Sequence, residues 1–201
     1  MINREEYLDE LIRWKDKDLI KVVTGIRRCG KSTLFDLFID YLKMSGVKSN
    51  QIIYINLEDA DYDFKDYKEL YHFINDKIVS EDNFYVFLDE VQNVPGFQRA
   101  VDSLYIKKNV DVYITGSNAY ILSGELATLL SGRYIEIKML PLSFKEYLEY
   151  YGEDNELKKY DSYVQNGGFP YLLNLGEDKE LIRNYLDGIY NTVLMKDVVV
   201  K

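Results

Sequence analysis

One segment of the sequence combines glycines, a lysine and hydroxyl side chains at a spacing suited to holding phosphate. Residues 25–33 read GIRRCGKST and match the pattern G-x-x-x-x-G-K-[ST], after an apolar segment and at the start of a predicted helix. Glycine at positions 25 and 30 lets the backbone come close to a ligand, so that successive N–H groups point at phosphate oxygens. We expect the following residues to form this phosphate loop: Gly25, Ile26, Arg27, Arg28, Cys29, Gly30, Lys31, Ser32 and Thr33.

Three residues at the end of this loop have distinct predicted roles. Lys31 supplies a point charge at the β- and γ-phosphates, Ser32 a hydroxyl ligand for Mg²⁺, and Thr33 a donor to the α-phosphate. The dipole at the start of the following helix also favours an anion. The alternative is a glycine turn that caps an ordinary helix, and the flanking strand and helix favour nucleotide binding over it.

Two carboxylates follow another apolar segment. FLDE places Asp89 and Glu90 at the end of a predicted buried strand. We expect Asp89 to orient the water shell of Mg²⁺ and Glu90 to polarise the attacking water. The alternative is an acidic pair that solvates a strand end.

Small polar residues end the next strand, and an arginine precedes the last one. In ITGSNA, either Ser117 or Asn118 is predicted to contact the γ-phosphate or the water, and a simple helix cap is the alternative. Arg133 is a candidate arginine finger directed at a neighbouring subunit, which would make the protein a homo-oligomer. A surface position or an internal salt bridge is the alternative for Arg133.

The elements that position these residues alternate along the chain, as in an α/β protein with a parallel sheet. The final strand alternates apolar and charged residues and is predicted to lie at a sheet edge. After Pro141 the pattern is helical, so we divide the chain into a nucleotide-binding core at 1–140 and a small helical lid at 141–201. The predicted strands are 19–25, 51–58, 84–90, 110–117 and 133–140, and the predicted helices of the core are 4–14, 31–44, 65–79, 96–108 and 120–130.

Composition narrows the class of protein further. The 201 residues carry a net charge of -9, which disfavours sequence-independent binding of the whole molecule to nucleic acid. The net charge does not exclude a local basic patch. The single cysteine forms no internal disulfide and suits a reducing compartment. The apolar runs are too short to span a membrane, so we expect a cytoplasmic protein.

Taken together, the motifs resemble those of the prokaryotic AAA-type P-loop ATPases, which are allied to the archaeal ATPase and STAND groups. The resemblance is carried by GIRRCGKST, INLED, FLDEVQNVPGFQRAVDSLY, YITGSNAYILSGELATLLSGRY, LPLSFKEYL and GGFPYLL. It implies a three-layer P-loop NTPase sandwich with a five-stranded sheet of order 5-1-4-3-2, and a helical or winged-helix lid. It also implies that Gly168 and Pro170 of the lid contact the base or sugar, and that a further C-terminal domain follows.

The function predicted from these observations is Mg²⁺-dependent binding and hydrolysis of ATP to ADP, which switches the lid and the C-terminal domain. The alternative is a nucleotide-gated interaction module with negligible turnover. A small-molecule kinase is disfavoured because the lid lacks an evident basic motif, and GTP is disfavoured because no N-K-x-D motif follows the loop. Whether nucleic acid is a partner stays open.

Overall fold

The computed structural model describes residues 2–117, 130, 132–152 and 154–193, with the backbone alone described for Ser117 and Val193. The helix predicted at 120–130 falls outside the described residues, apart from Leu130. By its contacts the chain divides into two compact units. The first contains Arg4–Gly25 and Lys31–Met139. The second, called the C-terminal unit below, contains Met1–Asn3, Ile26–Gly30 and Leu140–Lys201.

Five parallel strands form a single sheet in the order β2-β3-β4-β1-β5. This order confirms the predicted order 5-1-4-3-2, counted from the other edge, and it places β4 between β1 and β3. The strands are β1 (Ile20–Gly25), β2 (Ile52–Asn56), β3 (Phe84–Asp89), β4 (Val110–Ser117) and β5 (Tyr134–Met139).

The helices cover both faces of this sheet or form the C-terminal segment. Asp66 caps the start of one helix by accepting from the N–H groups of Lys68 and Glu69, and Ser143 with Glu146 forms a capping box at another. None of the described helices combines the length and the apolar character needed to cross a membrane. The described α-helices are α1 (Glu5–Trp14), α2 (Lys31–Met44), α3 (Tyr67–Asn75), α4 (Phe97–Tyr105), α5 (Phe144–Tyr151), α6 (Glu156–Asn166) and α7 (Lys179–Val193).

The central strands are buried on both faces, as the continuous apolar run of β3 predicts. Every residue of β1 and β3 is buried. Phe87 of β3 contacts Phe35 and Phe38 of α2, with ring centroids 5.1 Å and 6.0 Å apart. Val86 and Leu88 point to the opposite face and belong to the apolar cluster that includes residues of α3 and α4. Alternate side chains of one strand therefore enter two helical layers, which gives the three-layer sandwich.

The edge position of β5 confirms the prediction made from its alternating pattern. β5 pairs with β1 alone. Ile137 and Met139 are buried, whereas Glu136 and Lys138 are exposed. Half of the strand therefore faces solvent, which is why its sequence alternates while that of β3 does not.

A buried polar network lies near the amino ends of the strands. The Lys21 ammonium donates to Asp111 at 2.5 Å, and Asp111 also accepts from the Tyr113 hydroxyl at 2.7 Å and the Asp16 N–H at 2.9 Å. Burial, opposed by the charge of Asp111, lowers the pKa of Lys21, and burial raises the pKa of Asp111. The network connects the segment that follows α1 to β1 and β4. It lies at the amino ends of the strands, whereas the predicted site lies at their carboxyl ends.

The C-terminal unit contains α5, α6 and α7, and the predicted helical character of this region is confirmed. Phe144 of α5 contacts Tyr160 and Tyr163 of α6, with ring centroids 5.1 Å and 5.5 Å apart. The Tyr163 hydroxyl donates to the carbonyl oxygen of Leu142 at 2.8 Å. An aromatic cluster therefore holds α5 and α6 together within this unit.

Candidate nucleotide site

The sheet brings the carboxyl ends of β1, β3 and β4 to one edge. The register pairs Gly25 of β1 with Ser117 of β4, and Leu88 of β3 with Ile114 of β4. Because the strands are parallel and β4 lies between the other two, the residues that follow β1 and β3 meet at the same edge. This is the edge at which open α/β sheets bind ligands.

The predicted phosphate loop connects β1 to α2 through a tight turn. Arg28 and Gly30 both have left-handed backbone conformations, with φ of 65° and 102°. The Cys29 N–H donates to the carbonyl oxygen of Ile26 at 3.4 Å, and Cys29 is fully buried. α2 then begins at Lys31, and the first turn of an α-helix carries N–H groups that have no acceptor within the helix itself. This backbone has the features that an anion-binding loop requires.

Lys31 is buried and directed at the carboxylate of Glu90. Its Nζ lies 3.5 Å from Glu90 Oε1 and donates to the carbonyl oxygen of Gly25 at 3.3 Å. The predicted phosphate-binding lysine and the predicted base therefore lie next to each other, although 59 positions separate them in the printed sequence. A buried cation at the start of a helix is suited to pairing with phosphate oxygens.

Asp89 is fully buried and held by two hydroxyl groups. Thr115 of β4 donates to its Oδ1, and Tyr54 of β2 donates to its Oδ2 at 3.2 Å. Burial, followed by the negative charge of Asp89, raises the pKa of Tyr54, so that this hydroxyl stays protonated. Each neighbouring strand thus contributes one donor that fixes the orientation of the Asp89 carboxylate.

Glu90 leaves the strand in a left-handed conformation with φ of 55°. Its N–H donates to the Thr115 hydroxyl oxygen at 3.0 Å, which anchors the turn. Its side chain is 12% exposed, and its Oε2 accepts from the Gln92 amide at 2.6 Å. Glu90 is therefore turned away from the strand direction and reaches Lys31, while Asp89 stays within the sheet.

The residues predicted to bind metal offer oxygen ligands of the kind Mg²⁺ prefers. Ser32 is exposed in the first turn of α2, and Asp89 presents a carboxylate at the end of β3. Partial desolvation, followed by the charge of Asp89, raises the pKa of Asp36, one turn beyond Ser32 on α2. Within the described ranges no group of three or more His, Cys, Asp or Glu side chains forms a metal site. A hydroxyl and a carboxylate, with phosphate and water as the remaining ligands, fit Mg²⁺, whereas the described residues do not form a complete ligand set by themselves.

The two candidates for contact with the γ-phosphate are only partly described. The backbone of Ser117 ends β4 opposite Gly25, and Asn118 lies outside the described residues. Thr115, two residues before Ser117 on β4, is the side chain that joins Asp89 to the backbone of Glu90. The choice between Ser117 and Asn118 stays open.

Arg133 forms an internal salt bridge. Its guanidinium pairs with Asp102 at 2.5 Å and lies over the ring of Tyr105, and its side chain is 47% exposed. This is the alternative to the arginine finger that the sequence leaves open, and the role of Arg133 toward a neighbouring subunit stays a prediction.

The lid residues predicted from the resemblance occupy a turn within the C-terminal unit. The Gly168 carbonyl accepts from the Leu142 N–H at 2.7 Å, and a Cβ at Gly168 would overlap the carbonyl oxygen of Leu142. Pro170 begins the short 3₁₀-helix Pro170–Asn174. Close backbone packing thus accounts for the glycine, and contact of Gly168 and Pro170 with a base or sugar stays a prediction.

Three residues of the site were not predicted from the sequence. They are Tyr54, Thr115 and Gln92, whose side chains form hydrogen bonds with Asp89 and Glu90. Gln92 stands two residues after Glu90 in the motif FLDEVQN, and Thr115 immediately precedes the glycine of ITGSNA. Both positions lie within segments that also contain predicted site residues, so proximity in the sequence is the signal that could have indicated them.

The fold and this arrangement are those of an AAA-type P-loop domain. A sequence profile described as an AAA domain, AAA_14, matches residues 17–148. The chain belongs to this AAA domain family. It is also 44% identical to an uncharacterized protein of Haemophilus influenzae, over 98% of this chain and 50% of that protein.

Other similarities agree with this family. An uncharacterized protein of Methanocaldococcus jannaschii is 33% identical over 85% of this chain and 41% of its own length, so the chain spans about half or less of the curated relatives it matches. A Walker-type ATPase of Pyrococcus abyssi has a similar structure, with a TM-score of 0.65 and 18% identity over 98% of this chain and 75% of that chain. AMPPCP-bound DnaA from Aquifex aeolicus has a TM-score of 0.58 and 18% identity, over 90% of this chain and 62% of that chain. At this identity the structural similarities concern the fold.

Proposed function

We propose that this chain binds ATP together with Mg²⁺ and hydrolyses the nucleotide to ADP and phosphate. The observation that carries the proposal is the position of Glu90 Oε1, 3.5 Å from Lys31 Nζ. This proximity supports a role for both groups, a lysine that follows a glycine loop and a carboxylate that follows β3, at the same phosphoryl group.

The binding step uses the loop and the start of α2. Lys31 exchanges its contact with Glu90 for the β- and γ-phosphates, and the loop N–H groups donate to phosphate oxygens. Ser32 and Asp89 are the residues that would hold Mg²⁺, Asp89 through its water shell. The bound ion would neutralise charge that develops on the phosphate oxygens.

The hydrolytic step assigns proton transfer to Glu90. Its carboxylate accepts a proton from a water molecule whose oxygen forms the new bond to the γ-phosphorus. The bond from that phosphorus to the bridging oxygen of ADP breaks, and the electron pair leaves with ADP. The proton held by Glu90 then passes to phosphate or solvent, which returns the carboxylate to its charged form.

The test is the substitution Glu90→Gln, which keeps the size of the side chain but removes its capacity as a base. We expect single-turnover release of phosphate to slow by about a hundredfold to ten-thousandfold. Binding of a fluorescent ATP analogue should persist, because the phosphate loop and Lys31 are unchanged.

The matched control is Glu81→Gln, the same chemical change at an exposed position just before β3. It should leave both phosphate release and nucleotide affinity unchanged. Full phosphate release by Glu90→Gln would remove Glu90 from the role of base and with it the mechanism proposed above.

The alternative function, a nucleotide-gated interaction module with negligible turnover, is favoured by one contact within the C-terminal unit. The guanidinium of Arg28, in the phosphate loop, lies over the ring of Tyr185 on α7, 5.5 Å from its centroid. A change of loop conformation on nucleotide binding would disturb this contact and so reach α7. The same release assay distinguishes the two functions, because a module of this kind would retain ADP and release no phosphate.

The contact between Arg28 and Tyr185 also supports a lid whose conformation changes when the nucleotide binds. The further steps predicted from the sequence, transmission to a C-terminal domain and activation of a neighbouring subunit through Arg133, stay predictions. The sequence leaves nucleic acid open as a partner, and the single-stranded DNA described as bound in one DnaA structure concerns DnaA.

A further inference from the structure

Gln92 makes the shortest hydrogen bond to the carboxylate of Glu90 among the contacts described above. Its Nε2 donates to Glu90 Oε2 at 2.6 Å, whereas Lys31 lies 3.5 Å from the other carboxylate oxygen. The two contacts approach different oxygens of one carboxylate. The orientation of that carboxylate is therefore set by an amide on one side and an ammonium on the other.

The backbone around Gln92 is well anchored. Glu90 has a left-handed conformation, and its N–H bonds to Thr115. The 3₁₀-helix Val91–Asn93 follows immediately, and Val91 is fully buried in the apolar cluster. The hydrogen bond of the Glu90 N–H and the burial of Val91 therefore fix the backbone from which the Gln92 side chain extends.

Packing alone does not account for the orientation of the Gln92 amide. Its Oε1 is buried and accepts no hydrogen bond from any of the described residues. A buried acceptor without a partner is unfavourable. The observed orientation of the amide directs Nε2 at Glu90, so the bond to Glu90 accounts for this orientation.

Binding of a nucleotide changes the two contacts unequally. In the function proposed above, phosphate oxygens compete with Glu90 for Lys31, so the contact at 3.5 Å is lost when ATP binds. The bond from Gln92 needs no cation and is not in competition with phosphate. It is then the interaction that keeps Glu90 in place during the reaction.

We propose that Gln92 is a positioning residue for Glu90, and that its amide holds the carboxylate where it accepts a proton from the attacking water. This inference rests on the proposed ATPase function. Its chemical basis is that a base with a fixed carboxylate needs less reorganisation to reach the transition state than one free to rotate.

The test is a double-mutant cycle on the 201-residue chain, built from Gln92→Ala and Glu90→Asp. Aspartate keeps a carboxylate that can accept a proton, but it is one methylene shorter, so we expect it to lose the bond to Gln92 and to retain slower turnover. Single-turnover phosphate release gives the rate constant, and a fluorescent ATP analogue gives the affinity. Thermal unfolding of each variant shows whether it is folded.

We expect Gln92→Ala to lower the rate constant by about tenfold to a hundredfold, the effect of one hydrogen bond to a charged group. Affinity for the analogue should stay within about twofold, because Gln92 acts in the chemical step. In the Glu90→Asp background, Gln92→Ala should lower the rate constant by less than about twofold. A residue that only stabilised the turn would lower both rate constants equally.

Two further variants sharpen the result. Gln92→Glu preserves the shape of the side chain but replaces the donor by a negative charge, so it should be at least as slow as Gln92→Ala. It also replaces Gln92→Ala in the cycle should the alanine variant fail to fold. Asn93→Ala removes an exposed amide from the same turn and should behave like the unsubstituted protein.

The outcomes separate this inference from the function on which it rests. Equal effects of Gln92→Ala in both backgrounds, or an unchanged rate in Gln92→Glu, would overturn the role of Gln92 and leave the ATPase function intact. No phosphate release by the unsubstituted chain would contradict the ATPase function itself, and the role of Gln92 would fall with it.

Discussion

Replacement of Thr115 by valine removes two hydrogen bonds that link β4 to the Asp89 carboxylate and to the backbone N–H of Glu90. The Thr115 hydroxyl donates to Asp89 Oδ1 and accepts from the Glu90 N–H at 3.0 Å. Thr115 and Asp89 are both fully buried, so water does not replace the lost bonds directly. Valine has nearly the same shape as threonine, which confines the change to the polar interactions.

The size of the effect follows from these two bonds. A hydrogen bond to a charged group contributes about 1.5–3 kcal/mol, and a buried N–H left without a partner costs about 1–3 kcal/mol. Burial of the additional methyl group offsets about 0.8 kcal/mol. Tyr54 still donates to Asp89 in the variant, so that carboxylate keeps one donor. We therefore expect Thr115→Val to lower the free energy of unfolding by about 2–5 kcal/mol.

Urea unfolding of the variant and the unsubstituted protein measures this difference. Thr115→Ser keeps the hydroxyl and loses only a methyl group, so it should lose about 1 kcal/mol. The control Thr192→Val removes a hydroxyl whose bond to the Gly188 carbonyl is on an exposed part of α7, and it should change stability by less than about 0.5 kcal/mol. A Thr115→Val protein as stable as Thr115→Ser would refute the energetic importance assigned to these bonds.

Two further predictions concern stability elsewhere. Gly168→Ala should lower the free energy of unfolding by about 1–3 kcal/mol, since its Cβ would overlap the Leu142 carbonyl oxygen; Gly188→Ala, which meets no atom within 4 Å, should not destabilise the protein. Burial, followed by the charge of a nearby carboxylate, raises the pKa of Tyr113 above its ordinary value of 10.0. The folded protein then retains a proton that the unfolded chain releases, so stability falls as the pH rises above about 10, by up to about 1.4 kcal/mol per pH unit. Denaturant unfolding measured across that range should show a shallower decline of stability for Tyr113→Phe. Tyr190→Phe is the control at an exposed tyrosine. An equally steep decline in both variants would contradict the raised pKa of Tyr113.

The parts of the fold that the sequence predicts are those expressed in local patterns. The alternation of Ile135 and Ile137 with charged residues indicates an edge strand, and β5 lies at the sheet edge. The apolar run before Asp89 indicates a strand covered on both faces, and β3 is buried throughout. In each case the residues that determine the environment are adjacent in the sequence, so periodicity alone carries the information.

The contacts inside the site depend instead on register between strands. Thr115 lies 26 positions from Asp89, and their bond requires β4 to pair with β3 in one particular alignment. Tyr54 requires the same of β2, 35 positions away. A shift of either strand by one residue would turn these hydroxyl groups to the opposite face of the sheet. Residue type and spacing do not fix that alignment, which is why the motif residues were predicted and their supporting hydroxyl groups were not.

The environments of the two adjacent carboxylates differ in a way that matches different functions. Asp89 is fully buried and accepts from two hydroxyl groups that belong to neighbouring strands, so its orientation is part of the sheet. Glu90 is partly exposed and contacts Lys31, a group that a bound phosphate would attract. In the proposed function, binding of the nucleotide would leave the hydrogen bonds of Asp89 intact but would remove the contact of Glu90 with Lys31. A fixed carboxylate suits the orientation of a metal's water shell, whereas a carboxylate released from its cation, and held by Gln92, suits the acceptance of a proton.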